Sequence, residues 1–394
     1  MKIAIDCRRI SDFGPGTYIR NLLRALARAD GGHTFFLIHT PGDETNFTEL
    51  SSAFTSVAYA NDKSTVAEEI TFPLLVRKLR VHVTHIPQHR VPLFLPGPYV
   101  MTVHDLATVF YDDVRGLLHE ARLFRLRRSL RRAARIIAVS RSTSQSVAEF
   151  DPEATARIRL IYNAPDRVFS NPPSETEQSE RIRILDRYQI QYPFLLYAGR
   201  INPRKNIPRL IEAFAVARSA LAKVPAWEDL RLIVIGDEIG RHPEVRRAVA
   251  HGHVENYVRF LGFIPSGTLR VFHEAASAFV FPSLYEGFGL PPLEAMTCGT
   301  PVVAARVSSL PEVTGDAARL VDPENVFDIA RGIIDVLTDD ELRSNLIARG
   351  YRQASMFSWR RTAREVLEVY REIGPERRTY GVAGYNSRSS SAAR

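Results

Sequence analysis

Short apolar runs punctuate the chain: KIAID, TFFLIH, VHVTHI, YVMTVHD, RIIAVS and IRLIYN first, then FLLYAGR, RLIVIGD, VRFLGF, SAFVFPS and TPVVAA. Between several of them the period changes. Ile19, Leu22, Leu23 and Leu26 recur at spacings of three and four, which marks one face of a helix. Runs of the first kind alternating with stretches of the second predict parallel sheets with crossover helices, an α/β chain. A Pro/Ser/Glu-rich stretch over 171–180 breaks the pattern and reads as a linker. One doubly wound domain is expected over 1–170 and a second over 181–357. Residues 358–373 resume a helical stripe (Trp359, Ala363, Val366, Leu367, Tyr370), and the Gly/Ser/Arg-rich 374–394 reads as a disordered tail.

Length agrees with two domains, since 394 residues exceed what one ordinary core organises. Hydrophobic residues at 45% and charged residues at 24% describe a soluble globular protein. No apolar run approaches the roughly 20 residues of a membrane span, and MKIAID reads as a strand instead of a signal peptide. Cys7 and Cys298 give no disulfide framework and fit a reducing cytoplasm, the expected location.

The charge of +8 is concentrated. Residues 114–135 carry eight arginines and one glutamate, a net +7, and 374–394 carry four arginines and one glutamate, a net +3, leaving about −2 elsewhere. A nucleic-acid binder would spread its charge over a face and interleave aromatics with it, so no nucleic-acid partner is expected. In the arginine-rich helix expected over 115–135, Leu123, Leu126, Leu130, Ala133 and Ile137 form the core-facing stripe. The arginines cover its other faces. Anionic lipid attracts such residues with about 1 kcal/mol each, which makes a membrane surface a candidate partner. A solvated face accounts for them equally well.

Open α/β sheets bind ligands beyond the carboxyl ends of their strands. There FLLYAG runs into Arg200 and then into INPRKN, so Arg204 and Lys205 precede the helix IPRLIEAF. Cations are disfavoured at a helix N-terminus unless an anion such as phosphate joins them. FPSLYEGFGLPPLEAMTCGTPVV has the same layout: strand, loop, a helix opening on prolines, Gly299, strand. Glu286 ends the strand side and Glu294 falls early in the helix. Between them the N–H groups of Gly287, Phe288, Gly289 and Leu290 can face a ligand. Carboxylates bind vicinal hydroxyls, so sugar, phosphates and ribose in a row describe a sugar nucleotide. A glycosidase pair is the alternative for two carboxylates, but it wants one acid protonated, and a helix N-terminus favours ionisation.

EGFGLPPLE resembles the E-x7-E signature of retaining GT-B glycosyltransferases, family 4, and YAGRINPRKN resembles that family's donor-phosphate segment. The likeness extends from MKIAID to SSLPEVTGDAARLVDP and is strongest over 194–324. It implies two Rossmann-like domains facing across a cleft, with the last helix crossing back to the first. It implies that Glu286 contacts the transferred sugar, Glu294 the ribose, Arg200 and Lys205 the pyrophosphate, and the backbone around Phe263 and Ile264 the base. His104, after YVMTV, takes the role of the histidine required for transfer, and Gly16 that of the glycine near the phosphates. In that loop Pro15 and Thr17 depart from the family's commoner Gly-Ile-Gly-Arg form. His85, Gln88 and Asp105 are candidates for the acceptor side.

No D-x-D metal motif occurs, so no metal or cofactor is expected, and charge on the leaving diphosphate falls to Arg200, Lys205 and the helix N-terminus. The resemblance implies transfer with retention of configuration. The wording around YEGFGLPPLEAMTCGTPVVA is most like mannosyltransferases using GDP-mannose, though UDP-sugar enzymes share nearly all of it. The acceptor expected is a glycan or lipid-linked saccharide. A sugar-nucleotide epimerase, a phosphorylase and a non-enzymatic binding protein are the competing readings. They separate by reaction without acceptor, by response to phosphate, and by indifference to Glu286 and Glu294.

Overall fold

The computed structural model describes residues 1–374 apart from 13, 30–31, 49, 61–65, 108–115 and 171–174. Every apolar run named above holds a strand. The first group gives β1 (Lys2–Asp6), β2 (Thr34–His39), β4 (Val83–Ile86), β5 (Tyr99–Val103), β6 (Arg135–Ala138) and β7 (Ile158–Leu160), with β3 (Phe54–Ala58) added. They form a seven-stranded parallel sheet in the order β3-β2-β1-β4-β5-β6-β7. The second group gives β8 (Phe194–Ala198), β9 (Arg231–Ile235), β10 (Val258–Phe260), β11 (Ala278–Phe281) and β12 (Val302–Ala305), with β13 (Ala318–Val321) added. These form a six-stranded parallel sheet in the order β10-β9-β8-β11-β12-β13. β3 and β13 were not among the named runs because FTSVA and ARLV interrupt their few apolar residues with polar ones.

Helices cover both faces of the first sheet. α1 (Pro15–Leu26) buries Ile19, Leu22, Leu23 and Leu26 against one face. α2 (Glu68–Leu79) and α3 (Leu117–Arg132) pack Phe72, Val76, Leu126 and Leu130 against the other. α4 (Arg141–Phe150) follows β6, with Ser140 as its N-cap. α5 (Glu175–Arg187) starts inside the stretch expected to be a linker. Its sequence ETEQSERIRILDR is made largely of good helix formers, which outweighs the loop-like proline and serine before it. In the second half α6 (Ile207–Leu221) follows β8, α7 (Leu290–Thr297) follows β11, and α8 (Leu310–Thr314) follows β12.

α9 (Trp359–Ile373) returns to the first sheet. Trp359, Ala363, Val366, Leu367 and Tyr370 are buried in the core that α1 also covers. A three-way polar contact fastens it there. Tyr370 OH lies 2.6 Å from His85 Nδ1, and His85 Nε2 lies 2.8 Å from Thr102 Oγ1. The tail over 375–394 lies outside the described residues.

In each sheet the strand order reverses once, between β1 and β4 and between β8 and β11. A crevice opens at such a switch point, outside the carboxyl ends of the strands. The residues that follow β4, β5, β8 and β11 are the ones the sequence singled out.

Candidate active site

β11 delivers Glu286 and α7 carries Glu294. The two carboxyl groups meet different surroundings. Glu286 accepts from Lys205 Nζ at 2.5 Å, and both side chains are nearly buried. The same ammonium sits 4.9 Å from the Phe281 ring centre. Lys205 is held there by a short turn over Pro203–Lys205 and by Asn206, whose φ of 62° is left-handed. Asn206 is buried and donates to Pro282 O at 3.0 Å and Pro323 O at 2.7 Å, tying the β8 loop to the β11 loop. Glu294, 9% exposed, makes no side-chain hydrogen bond to the described residues. Burial, with Asp166 nearby, pushes its pKa up to about 8. The ionised state expected from its place near a helix N-terminus is therefore wrong, because desolvation exceeds the helix dipole's effect.

The loop between them is pinned by its carbonyls. Glu286 O and Phe288 O accept from Ser309 Oγ at 2.9 and 2.7 Å, and Gly287 O accepts from Ser140 Oγ at 2.6 Å. Glu286 N–H donates to Ser308 Oγ at 2.9 Å. The N–H groups of Gly287, Phe288 and Gly289 make no hydrogen bond to the described residues. Ser308 itself has a φ of 51°, a left-handed position that costs a non-glycine residue energy. The Phe288 side chain is packed against Tyr162 and Phe357, so this residue offers a ligand only its backbone.

On the first sheet, His104 follows β5. Its Nε2 lies 3.2 Å from Pro87 O, so that nitrogen carries the hydrogen and Nδ1 keeps its lone pair. Burial lowers its pKa to about 4, against the opposing pull of Asp105, and the ring is neutral at pH 7. Tyr18 supports it edge-on with ring centres 5.0 Å apart. Asp105 pairs with Arg204 at 3.3 Å across the two halves. Burial works against its charge, but Arg204 and the Ala107 N–H hold it below the usual carboxylate range. Gln88 donates to Asp6 Oδ2 at 3.1 Å at the β1–β4 switch point.

Other candidates fall elsewhere. His85 was expected on the acceptor side, but it is fully buried between Tyr370 and Thr102 and faces the core. Burial lowers its pKa to about 3. Gly16 has a packing reason of its own: a Cβ there would stand 2.4 Å from Ile10 O. Arg200 is at the surface beyond β8, and its carbonyl accepts from Tyr197 OH at 3.0 Å. Phe263 is 69% exposed at the rim beyond β10, whereas Ile264 is buried.

Family profiles match the chain in two successive blocks, glycosyltransferase family 4 over residues 14–169 and glycosyl transferases group 1 over residues 181–353. The chain belongs to this glycosyltransferase family. It is 37% identical over 223 residues to the Escherichia coli O-antigen chain mannosyltransferase B, a stretch covering 54% of this chain and 57% of that relative's length. Sucrose-phosphate synthase from Thermosynechococcus elongatus superposes with a TM-score of 0.75 at 23% identity, over 95% of this chain and 99% of that one. The Anabaena protein HepE in complex with UDP-glucose gives 0.75 at 17% identity, over 94% and 100%. The fold is GT-B, as the resemblance of the glutamate loop implied. Reading by motif missed Asn206, Ser308 and Ser309. The last two stand in SSLPEV, directly beyond β12, where the strand-end rule already pointed.

Proposed function

We propose that this chain transfers a hexose from a sugar nucleotide to a saccharide acceptor with retention at the anomeric carbon. Glu294 carries the reading: a nine-tenths-buried carboxyl group with no side-chain hydrogen bond among the described residues suits the two hydroxyls of a ribose, whose hydrogen bonds would repay its desolvation. In the loop that leads into α7, the N–H groups of Gly287, Phe288 and Gly289, unbonded among the described residues, suit the diphosphate, and Lys205 and Arg200 are the cations assigned to it. Lys205 then turns from Glu286 to the diphosphate, and Glu286 is left to the sugar. Neutral His104 offers its Nδ1 lone pair to a sugar hydroxyl. We favour a front-face reaction. The bond between the anomeric carbon and the diphosphate oxygen breaks as the acceptor oxygen attacks the same face. The acceptor's proton passes to the departing phosphate oxygen. A covalent sugar on Glu286 is the less favoured version of the reaction. GDP-mannose is the favoured donor, because the relative at 37% identity is named a mannosyltransferase.

Calorimetric titration of GDP and UDP with EDTA present tests this. Tight binding of GDP and not UDP supports the reading as stated. Tight UDP binding replaces the donor. Binding of neither withdraws the site and favours a phosphorylase or a binding protein.

The acceptor reading extends to the surface of α2 and α3. Several arginines of α3 serve the fold: Arg125 pairs with Glu69, Arg131 with Asp151 and Glu153, and Arg127 lies over Phe150. They are not a free cationic face, which weakens the expectation built on them. Apolar side chains support it better. Val66, Ile70, Leu74, Phe94, Leu117 and Phe124 are each more than half exposed. Glu69 links their elements, accepting from Leu93 N–H and from Arg125. A surface helix with apolar residues on both sides is one that something covers. No described helix is long and apolar enough to cross a membrane. An anionic lipid surface fits the remaining positive charge and a lipid-linked acceptor. Flotation with phosphatidylglycerol vesicles at low salt should carry the protein upward, and Ile70→Glu with Leu74→Glu should abolish it. Parent protein left in solution ends the membrane proposal.

A further inference from the structure

The loop that bears Glu286 is anchored from both halves of the molecule. Ser308 and Ser309, which fix the N–H and carbonyl of Glu286, belong to the same sheet as Glu286. The next carbonyl, Gly287 O, is gripped from the opposite half by Ser140 Oγ at 2.6 Å and Thr143 Oγ1 at 2.9 Å. Ser140 stands at the end of β6 and also caps α4, accepting from the Thr143 N–H at 2.9 Å. Around this grip the halves touch closely. A Cβ at Gly287 would lie 1.7 Å from His104 O and 2.8 Å from Asp105 Cβ. Glu312 of α8 accepts from the Arg141 N–H at 2.9 and 3.0 Å and from Tyr162 OH at 2.6 Å. Arg204 meets Asp105 a short distance away.

These contacts are polar, and they gather on the residues next to Glu286 and His104. Beside them the seam is also apolar, with Val139 in the core of the second half and Tyr162 against Phe288, so the hydroxyl–carbonyl hydrogen bonds add direction to a packed contact. Ser140 Oγ and Thr143 Oγ1, which also lie 3.1 Å from each other, both reach Gly287 O. We propose that Ser140 and Thr143 are positioning residues for Glu286. By holding Gly287 O from the acceptor-side half, they bring the carboxylate to its working position only when the two sheets are closed on each other. The proposal rests on the transfer reading above. It adds that the glutamate beside the sugar is set by the half that receives the acceptor.

The test compares Thr143→Val, Ser140→Ala and the double variant with the parent. Thr143→Val leaves the cap of α4 in place, so it reports on the carbonyl grip alone, and circular dichroism confirms that each variant folds. With the donor identified by titration, the double variant should lose turnover on the order of tenfold to a hundredfold. Its nucleotide affinity should fall by far less than its turnover, because Lys205 and Glu294 are untouched and only the peptide that bears the Phe288 N–H is loosened. Thr143→Ser, which keeps the hydroxyl, should restore most of the rate. Unchanged turnover in the double variant, or a loss of nucleotide affinity in step with turnover, overturns the proposal. If the parent neither binds nucleotide nor transfers sugar, the transfer reading itself has failed. X-ray scattering then decides the grip independently: the double variant should show a larger radius of gyration than the parent, and an equal radius overturns it.

Discussion

Glu294 is held protonated by burial at neutral pH, and that has a measurable sign. Its pKa is raised from the usual glutamate value to about 8 in the folded chain. Below about pH 4 both folded and unfolded forms are protonated, so its stabilising contribution is complete. Between about 4 and 8 the unfolded form releases the proton and the folded form keeps it, and stability falls as pH rises. Glu294→Gln removes this dependence. Relative to the parent, its melting temperature should rise by several degrees between pH 5 and pH 8, read by differential scanning fluorimetry. Glu286 predicts a different kind of change. Glu286→Gln should lower turnover by about a hundredfold and spare donor affinity, while Lys205→Ala should damage both; equal small effects would remove the assigned roles. The sequence marked both glutamates by their loop and spacing. It could not show that Glu286 pairs with Lys205 while Glu294 makes no side-chain hydrogen bond among the described residues, because both facts depend on residues brought from distant loops. His85 shows the same limit. β4 is buried on both faces, so alternation along VTHI gives no sign of which side chain faces the cleft.

At the scale of elements, apolar period located most of the strands and α9, whose stripe from Trp359 to Tyr370 is buried as expected. It failed at β3 and β13, whose segments FTSVA and ARLV interrupt their few apolar residues with polar ones. It also missed the start of α5, where helix formers follow directly on turn residues. α9 predicts a specific cost. Tyr370→Phe leaves His85 Nδ1 without its buried partner at 2.6 Å, and should lower unfolding free energy by about 1–3 kcal/mol. Chemical denaturation would read it, and a change below about 0.5 kcal/mol would mean that packing, not this contact, holds the helix.

Over the whole molecule, the ends of β5 and β6 meet the loops after β8 and β11, and candidate residues stand on both sides of that junction. Motif order along the chain made the GT-B layout legible, but not the seam between the halves: Gly287 was marked by its motif, whereas Ser140 and Thr143, which hold its carbonyl, carry no pattern of their own. Since α9 completes the core beside α1, removing it should be felt far from the C-terminal half. A chain ending at residue 357 should expose Tyr18, Ile19 and Leu22 and aggregate, whereas full-length protein stays in solution; gel filtration distinguishes them. A soluble monomer would show that α9 only decorates the fold. The same connectivity has a consequence in time. The ribosome finishes β7 roughly 200 residues before it finishes α9. At about 5–20 residues per second, the first half waits some tens of seconds with one side of its core open. During that wait the second half can fold complete, so the order of birth and the order of maturation are reversed. The nascent first half is the stage at which this protein depends most on chaperones.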